Sequence, residues 1–208
     1  MEFRSRSSHA LSLLLSLVGV VTASEIGVAQ DGLTRLLSNE EAWNKLPKAQ
    51  RGAGEPLPDW ARRLANDLPR TAAAFLQLDH AQRTASPLDP KLRAAMRWVA
   101  ADANGCDYAK AQARFDAVRA GLDDERLDGL SKPDFPGWNE DDRRALAFAR
   151  KMTLDSDAVT DAEFQTLVDR FGANRTASMV LLAAYANMQD RLLICLGSKI
   201  EPDGPLPR

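Results

Sequence analysis

Apolar residues along this chain recur every three or four positions, and the period-two alternation of a half-buried strand is absent. The stretch "LLSNEEAWNKLP", residues 36–47, predicts a first helix, because Ser38 followed by Glu41 makes a capping box and Pro47 ends the segment. In "DWARRLANDLP", residues 59–69, Trp60, Leu64 and Leu68 fall on one helical face. "RTAAAFLQLDHAQR" continues as helix, with Phe75, Leu76 and Leu78 as its apolar residues. "LDPKLRAAMRWVAADANG" opens with Asp89 as N-cap and Pro90 in the first turn, shows Leu92, Met96 and Val99 inward, and stops at Asn104-Gly105.

Cys106 opens the next helix, which runs to Gly121. "DDERLDGLS" predicts a short acidic helix. "GWNEDDRRALAFARKMT" is capped by Asn139, with acids in its first turn and Arg150 and Lys151 in its last, as the helix dipole favours. "TDAEFQTLVDRFG" pairs Thr160 with Glu163 as a second capping box and stops at Gly172. The final helix, "RTASMVLLAAYANMQDRLLICLG", is nearly all apolar as far as Tyr185 and therefore reads as buried; Gly197 ends it, and "EPDGPLPR" reads as terminal coil. The fold class is all-α, a helical bundle.

The first thirty residues follow another pattern. A lead with Arg4 and Arg6 precedes the apolar run "LSLLLSLVGVV" and small residues suited to cleavage after Ala23 or Ala29. That is the layout of a secretory signal peptide, and the run is too short for a membrane span of about 20 residues. The expected organisation is a signal peptide over residues 1–29, an N-terminal helix and linker over 30–55, a helical domain over 56–197 and a tail over 198–208. The expected location is periplasmic or extracellular, with no stable membrane anchor.

Composition adds exclusions. In 208 residues, 27 basic and 29 acidic side chains are interspersed, so no basic block marks a nucleic-acid partner. The two cysteines, Cys106 and Cys195, are compatible with a disulfide in an oxidising compartment, but spacing alone does not say whether they meet. Cys195, between Leu193, Ile194 and Leu196, reads as buried and inert. His80 reads as a solvated residue rather than a base. Arg93 and Arg97, one turn apart, read as solvated surface charge, with anion binding as the alternative. Asn187 and Arg191 read as partners in interhelical hydrogen bonds or ion pairs.

Three stretches taken together resemble the carboxymuconolactone decarboxylase family, which includes the alkylhydroperoxidase D-like proteins. They are residues 88–121, with a cysteine directly after an Asn-Gly turn; residues 138–172, with a charged start, an Ala-Leu-Phe-Ala face and a capped "VTDAEF" helix; and "YANMQDRLLICLG". The resemblance spans residues 56–197. It implies an alkylhydroperoxidase D-like bundle, a homo-oligomer and a thiol-dependent, peroxiredoxin-type antioxidant activity. It implies no cofactor or metal, a peroxide or small organic substrate, and an external thiol reductant.

In that branch the signature is a glutamate, eleven residues, Cys-x-x-Cys and a histidine four residues on. Mapped here, the pattern leaves Cys106 as the one catalytic candidate. The glutamate position is Ala94, the second cysteine is Ala109 and the histidine is Ala113. The missing groups are those that resolve a sulfenic acid and move protons. Asp107, beside Cys106, opposes thiolate formation. A reactive and an inert Cys106 remain open at this point, as do a weak peroxide reductase and a non-catalytic binding or scaffold protein. Decarboxylation ranks behind both.

Overall fold

The structure is a computed structural model that describes residues 35–47 and 55–206; the expected signal segment and residues 48–54 lie outside the described residues. Helix α1 (Asn39–Lys45) is followed by α2 (Asp59–Asp67), α3 (Pro69–Thr84), α4 (Pro90–Ala103) and α5 (Asp107–Arg119). Then come α6 (Asp124–Gly129), α7 (Glu140–Leu154), a 3₁₀ turn (Ser156–Ala158), α8 (Asp161–Phe171) and α9 (Ala173–Cys195). Strands are absent among the described residues, so the all-α expectation holds.

The starts are where the caps place them. Ser38 and Thr160 both close capping boxes, and the Asn139 side chain accepts from the Asp142 N–H. Asp89 accepts from the N–H groups of Lys91 and Leu92, with Pro90 in the first turn. Each such cap contributes about 1 kcal/mol.

Helix α4 is the centre of the bundle, packed by α5, α7 and α9. One apolar cluster joins Leu92, Met96 and Val99 of α4 to Leu146 and Phe148 of α7 and to Met179 and Leu182 of α9. A second cluster lies at the other end. There Leu37, Ala42, Leu46, Trp60, Ala61 and Leu64 meet Cys106, Tyr108, Ala109 and Leu193. The helix before the linker therefore contributes to the same apolar cluster as the cysteine.

Three sequence expectations change. Leu68 leaves the Trp60–Leu64 face and is 53% exposed, because α2 ends at Asp67 and α3 begins at Pro69; Leu68 bridges them with φ −130° and ψ 56°. Helix α9 is not buried all round. It lies on the outside of the bundle, so Leu181, Met188 and Ile194 are exposed. Nor is the tail a free coil, since Glu201 and Leu206 both hydrogen-bond back to the bundle.

Candidate functional site

The α4–α5 junction follows directly from "ANGC". Gly105 takes φ 67°, a left-handed conformation that costs glycine least. Its N–H donates to the Asp102 carbonyl at 3.1 Å, and the Cys106 N–H donates to the Ala101 carbonyl at 2.9 Å. This is the paired hydrogen bonding of a Schellman stop. Gly121, at φ 83°, repeats it at the end of α5, with Gly121 bonded to Val118 and Leu122 to Ala117.

In a Schellman stop the residue after the glycine makes an apolar contact back onto the helix. Cys106 occupies that place, and it shares an apolar cluster with Ala101. The thiol is accordingly only 2% exposed, although Cys106 is also the N-cap of α5. Burial pushes its pKa above the usual thiol value, and the negative charges of Asp190 and Asp107 add to the rise. The Ala109 backbone N–H and the Arg97 guanidinium pull the other way without reversing it. Asp107 thus acts as the sequence predicts, but desolvation is the larger cause.

Ala94, Ala109 and Ala113 are all buried, so the positions where the resembling proteins carry a relay are core positions here. Ala94 and Ala113 belong to the first apolar cluster, Ala109 to the second, beside Cys106.

Next to Ala94 lies an ionic network that the sequence analysis did not assemble. Arg83 pairs with Asp79 at 3.1 Å and with Asp116 of α5. The Tyr185 hydroxyl donates to Asp79 at 3.0 Å. Burial, reinforced by Asp79, pushes the Tyr185 phenol far up, so the hydroxyl stays a donor. These groups line a cavity of about 30 Å³ together with Ala94, Arg93 and Arg97, and Arg93 also donates to the Arg83 carbonyl.

Further along α4, Arg97 pairs with both oxygens of the fully buried Asp190 and donates to Gln189 at 2.9 Å. Asn104 donates to Asp190 at 2.9 Å and to Asn187 at 3.0 Å. Asp190 therefore accepts three hydrogen bonds, two from Arg97 and one from Asn104.

The single-residue expectations sort as follows. Asn187 does make an interhelical hydrogen bond, while Arg191 is exposed. His80 is exposed, as a solvated residue would be. Arg93 and Arg97 are not solvated surface charges: both are partly buried, and Arg97 is held by Asp190 because α9 crosses α4 at that point. Cys195 is exposed rather than buried, because the last turn of α9 lies at the surface. Both cysteines are free, so they do not bridge. Asp79, Asp116, Tyr185 and Asp190 carried one signal in the sequence, which is polar residues interrupting otherwise apolar helix faces.

Neither a family model nor a curated protein matches the sequence. Solved structures do. The debrominase Bmp8, crystallised as a cysteine-to-alanine variant with 2,3,4-tribromopyrrole, superposes with a TM-score of 0.67 at 21% identity, over 82% of this chain and 92% of that one. A peroxidase-related protein from Silicibacter sp. TM1040 gives 0.65 at 18% identity, over 71% and 78%. An Agrobacterium tumefaciens protein of unknown function, proposed to belong to AhpD antioxidant defence, gives 0.59 at 16% identity, over 69% and 96%. At these identities the likeness is one of fold, and the chain has the fold of the carboxymuconolactone decarboxylase and alkylhydroperoxidase D-like proteins.

Proposed function

We propose that this chain is a slow, thiol-dependent peroxide reductase of the alkylhydroperoxidase D-like type, with Cys106 as its reacting group. The observation that carries this reading is the position of Cys106. It starts a helix directly after a Schellman turn, in the fold of peroxidase-related proteins, where the charges of the α4–α9 ion pair act on its thiol. The Cys106 thiolate attacks one peroxide oxygen, the O–O bond breaks, the alcohol or water leaves with a proton, and a sulfenic acid remains. One external thiol condenses with it, releasing water and leaving a mixed disulfide; a second displaces Cys106 as thiol and departs as the disulfide. Each peroxide consumes two reductant thiols.

The slow rate has a structural cause. Thiolate is the nucleophile, and burial disfavours it at Cys106. Alanines at 94, 109 and 113 supply neither a resolving thiol nor a proton, and proton transfer is typically worth about 10²–10⁴ in rate. The debrominase likeness supports a small organic molecule as an alternative substrate.

The test is peroxide consumption with an external thiol. Slow turnover is expected, lost in Cys106→Ala and retained in Cys195→Ser. Equal rates in Cys106→Ala and the parent would select the second reading, a non-catalytic binding or scaffold protein, which the near-complete burial of the thiol favours.

The reading also includes export and self-association. The basic lead and apolar run at residues 1–21 support export, and the exposed Leu181 and Met188, seven residues apart on one face of α9, offer a surface for a second copy. Protein from its native host should lack residues 1–23 or 1–29 by intact mass and scatter light as an oligomer. A full-length monomer would defeat both.

A further inference from the structure

The last described residues fold back onto the apolar cluster to which Cys106 belongs and onto the helix that it opens. A third Schellman stop, with Gly197 at φ 60° and Ser198 N–H bonded to the Leu193 carbonyl at 3.0 Å, turns the chain off the end of α9. Ile200 then packs against the cluster that contains Cys106, Tyr108, Ala109 and Leu193. The next residue, Glu201, directs its carboxylate inward. Its Oε1 accepts from the Tyr108 hydroxyl at 3.0 Å and from the Asp59 backbone N–H at 3.0 Å. Asp59 is the first residue of α2, whose N-cap is Pro58 with no side-chain cap, so the Glu201 carboxylate takes the acid's place at that helix end. Finally the Leu206 carbonyl accepts from Gln112 Nε2 at 3.0 Å.

Tyr108 and Gln112 stand one turn apart on α5, the helix that Cys106 opens. Residues 198–206 are thus a nine-residue segment without helix or strand, pinned by two side chains of the cysteine's own helix and by one apolar side chain. The other walls of the cluster are helical: α1, α2 and α3, whose Ala42, Trp60, Ala61 and Ala72 are wholly buried, with Ala101 of α4, Tyr108 and Ala109 of α5 and Leu193 of α9. Of the elements around the thiol, the tail is the one that can lift without breaking a helix or opening those helical contacts.

We infer that residues 198–206 are a strap whose release admits reagents to Cys106, with Glu201 as its latch. The latch is held short of full strength. Glu201 Oε2 is buried and takes no hydrogen bond, so opening returns to water an oxygen that closure leaves unsatisfied. Peroxide and reductant thiol would then reach Cys106 only in the open fraction, and the apparent rate of any reaction there is scaled by that fraction. The inference rests on Cys106 as the reacting group, but its readout is access to the thiol and not turnover.

The experiment uses the full chain carrying Cys195→Ser, so that iodoacetamide uptake reports Cys106 alone. Glu201→Ala, which removes both the Tyr108 and the Asp59 contacts, should raise the alkylation rate at least tenfold. Tyr108→Phe, which removes one of the two, should raise it severalfold. Lys199→Ala, at an exposed strap residue outside the latch, should leave it unchanged. A Glu201→Ala rate within twofold of the parent overturns the strap.

Because a latch variant could simply loosen the whole bundle, hydrogen exchange is followed on the otherwise unaltered chain. In urea well below the unfolding midpoint, amides of residues 198–206 and Cys106 alkylation should accelerate together while α4 stays protected. Alkylation that instead tracks exchange of α4 overturns the proposal. A protein inert to peroxide in which Glu201→Ala still accelerates alkylation would defeat the peroxide reading and leave the strap standing.

Discussion

Helix α4 borders two buried regions that meet the cost of burial in opposite ways. One is apolar: Ala94 and Ala101 of α4 and Ala109 and Ala113 of α5 are all buried, with methyls where a redox relay would need polar groups. The other is polar: α4 and its C-cap contribute Arg93, Arg97 and Asn104, and α3, α5 and α9 supply Asp79, Asp116, Gln189 and Asp190. Burying a polar group without a partner costs free energy, so a stable interior either omits such groups or pairs most of them. Cys106 sits where the two solutions meet. It packs among apolar neighbours, yet it feels both Asp190 and Arg97. A working thiol relay needs something between the two solutions: groups that are buried but still able to exchange a proton. Asp190 is instead built into the packing, both of its oxygens accepting from Arg97 and one also from Asn104.

The sharpest way to break the comparison is to unbalance the paired side. Asp190 is fully buried and its guanidinium partner is largely so, with Arg97 at 13% side-chain exposure. Asp190→Ala leaves Arg97 as a buried cation and deprives Asn104 of one acceptor. Removing one member of a buried pair typically costs about 3–5 kcal/mol. For a domain of this length that corresponds to a fall in Tm of about 6–20 °C, at roughly 2–4 °C per kcal/mol. Thermal unfolding by circular dichroism would measure it. A loss below about 1 kcal/mol would mean that water reaches Arg97 and that the paired region is not sealed. The Cys106 thiol supplies a second readout. Asp190 raises its pKa, so the pH at which Cys106 alkylates half-maximally should move down in this variant if it folds.

How much of this was legible beforehand follows the range of the interactions. Helix starts and stops were, because Ser38, Asp89, Asn139 and Thr160 act on N–H groups two or three residues away, and Gly105 and Gly121 act on the turn just completed. The place of Cys106 at a helix start was legible for the same local reason. The pairing of Arg97 with Asp190 was not, since 93 residues separate them and a one-turn spacing of arginines fits a solvated face equally well. Burial of α9 was overread. A run of apolar residues as far as Tyr185 gives no sign that one face will lie outside, as Leu181 does. Cys195 was misplaced by the same reasoning, because apolar neighbours in sequence are not neighbours around a helix. The tail's return through Glu201 to Asp59 spans 142 residues, and "EPDGPLPR" carries no local mark of it.

A gentler perturbation tests the apolar side. Ala109→Cys restores the second thiol of the spacing by adding one sulfur to a buried alanine three residues after Cys106. Overfilling a packed core costs typically about 1–3 kcal/mol, and a single added atom belongs at the low end of that range. The new thiol lies in the same apolar cluster as Cys106, within the first turn of α5, so mild oxidation should close a disulfide between Cys106 and the introduced sulfur. Two lost thiols by mass, in a chain that also carries Cys195→Ser, would report it. Peroxide turnover should rise only modestly, because Ala94 and Ala113 still move no proton. A rate approaching that of a complete relay would show that proton transfer is not limiting here, and that the methyls at 94 and 113 are not what makes the site slow. A failure to form the disulfide at all would show that the apolar packing holds the two sulfurs apart, and that restoring the motif means repacking the junction rather than adding a thiol to it.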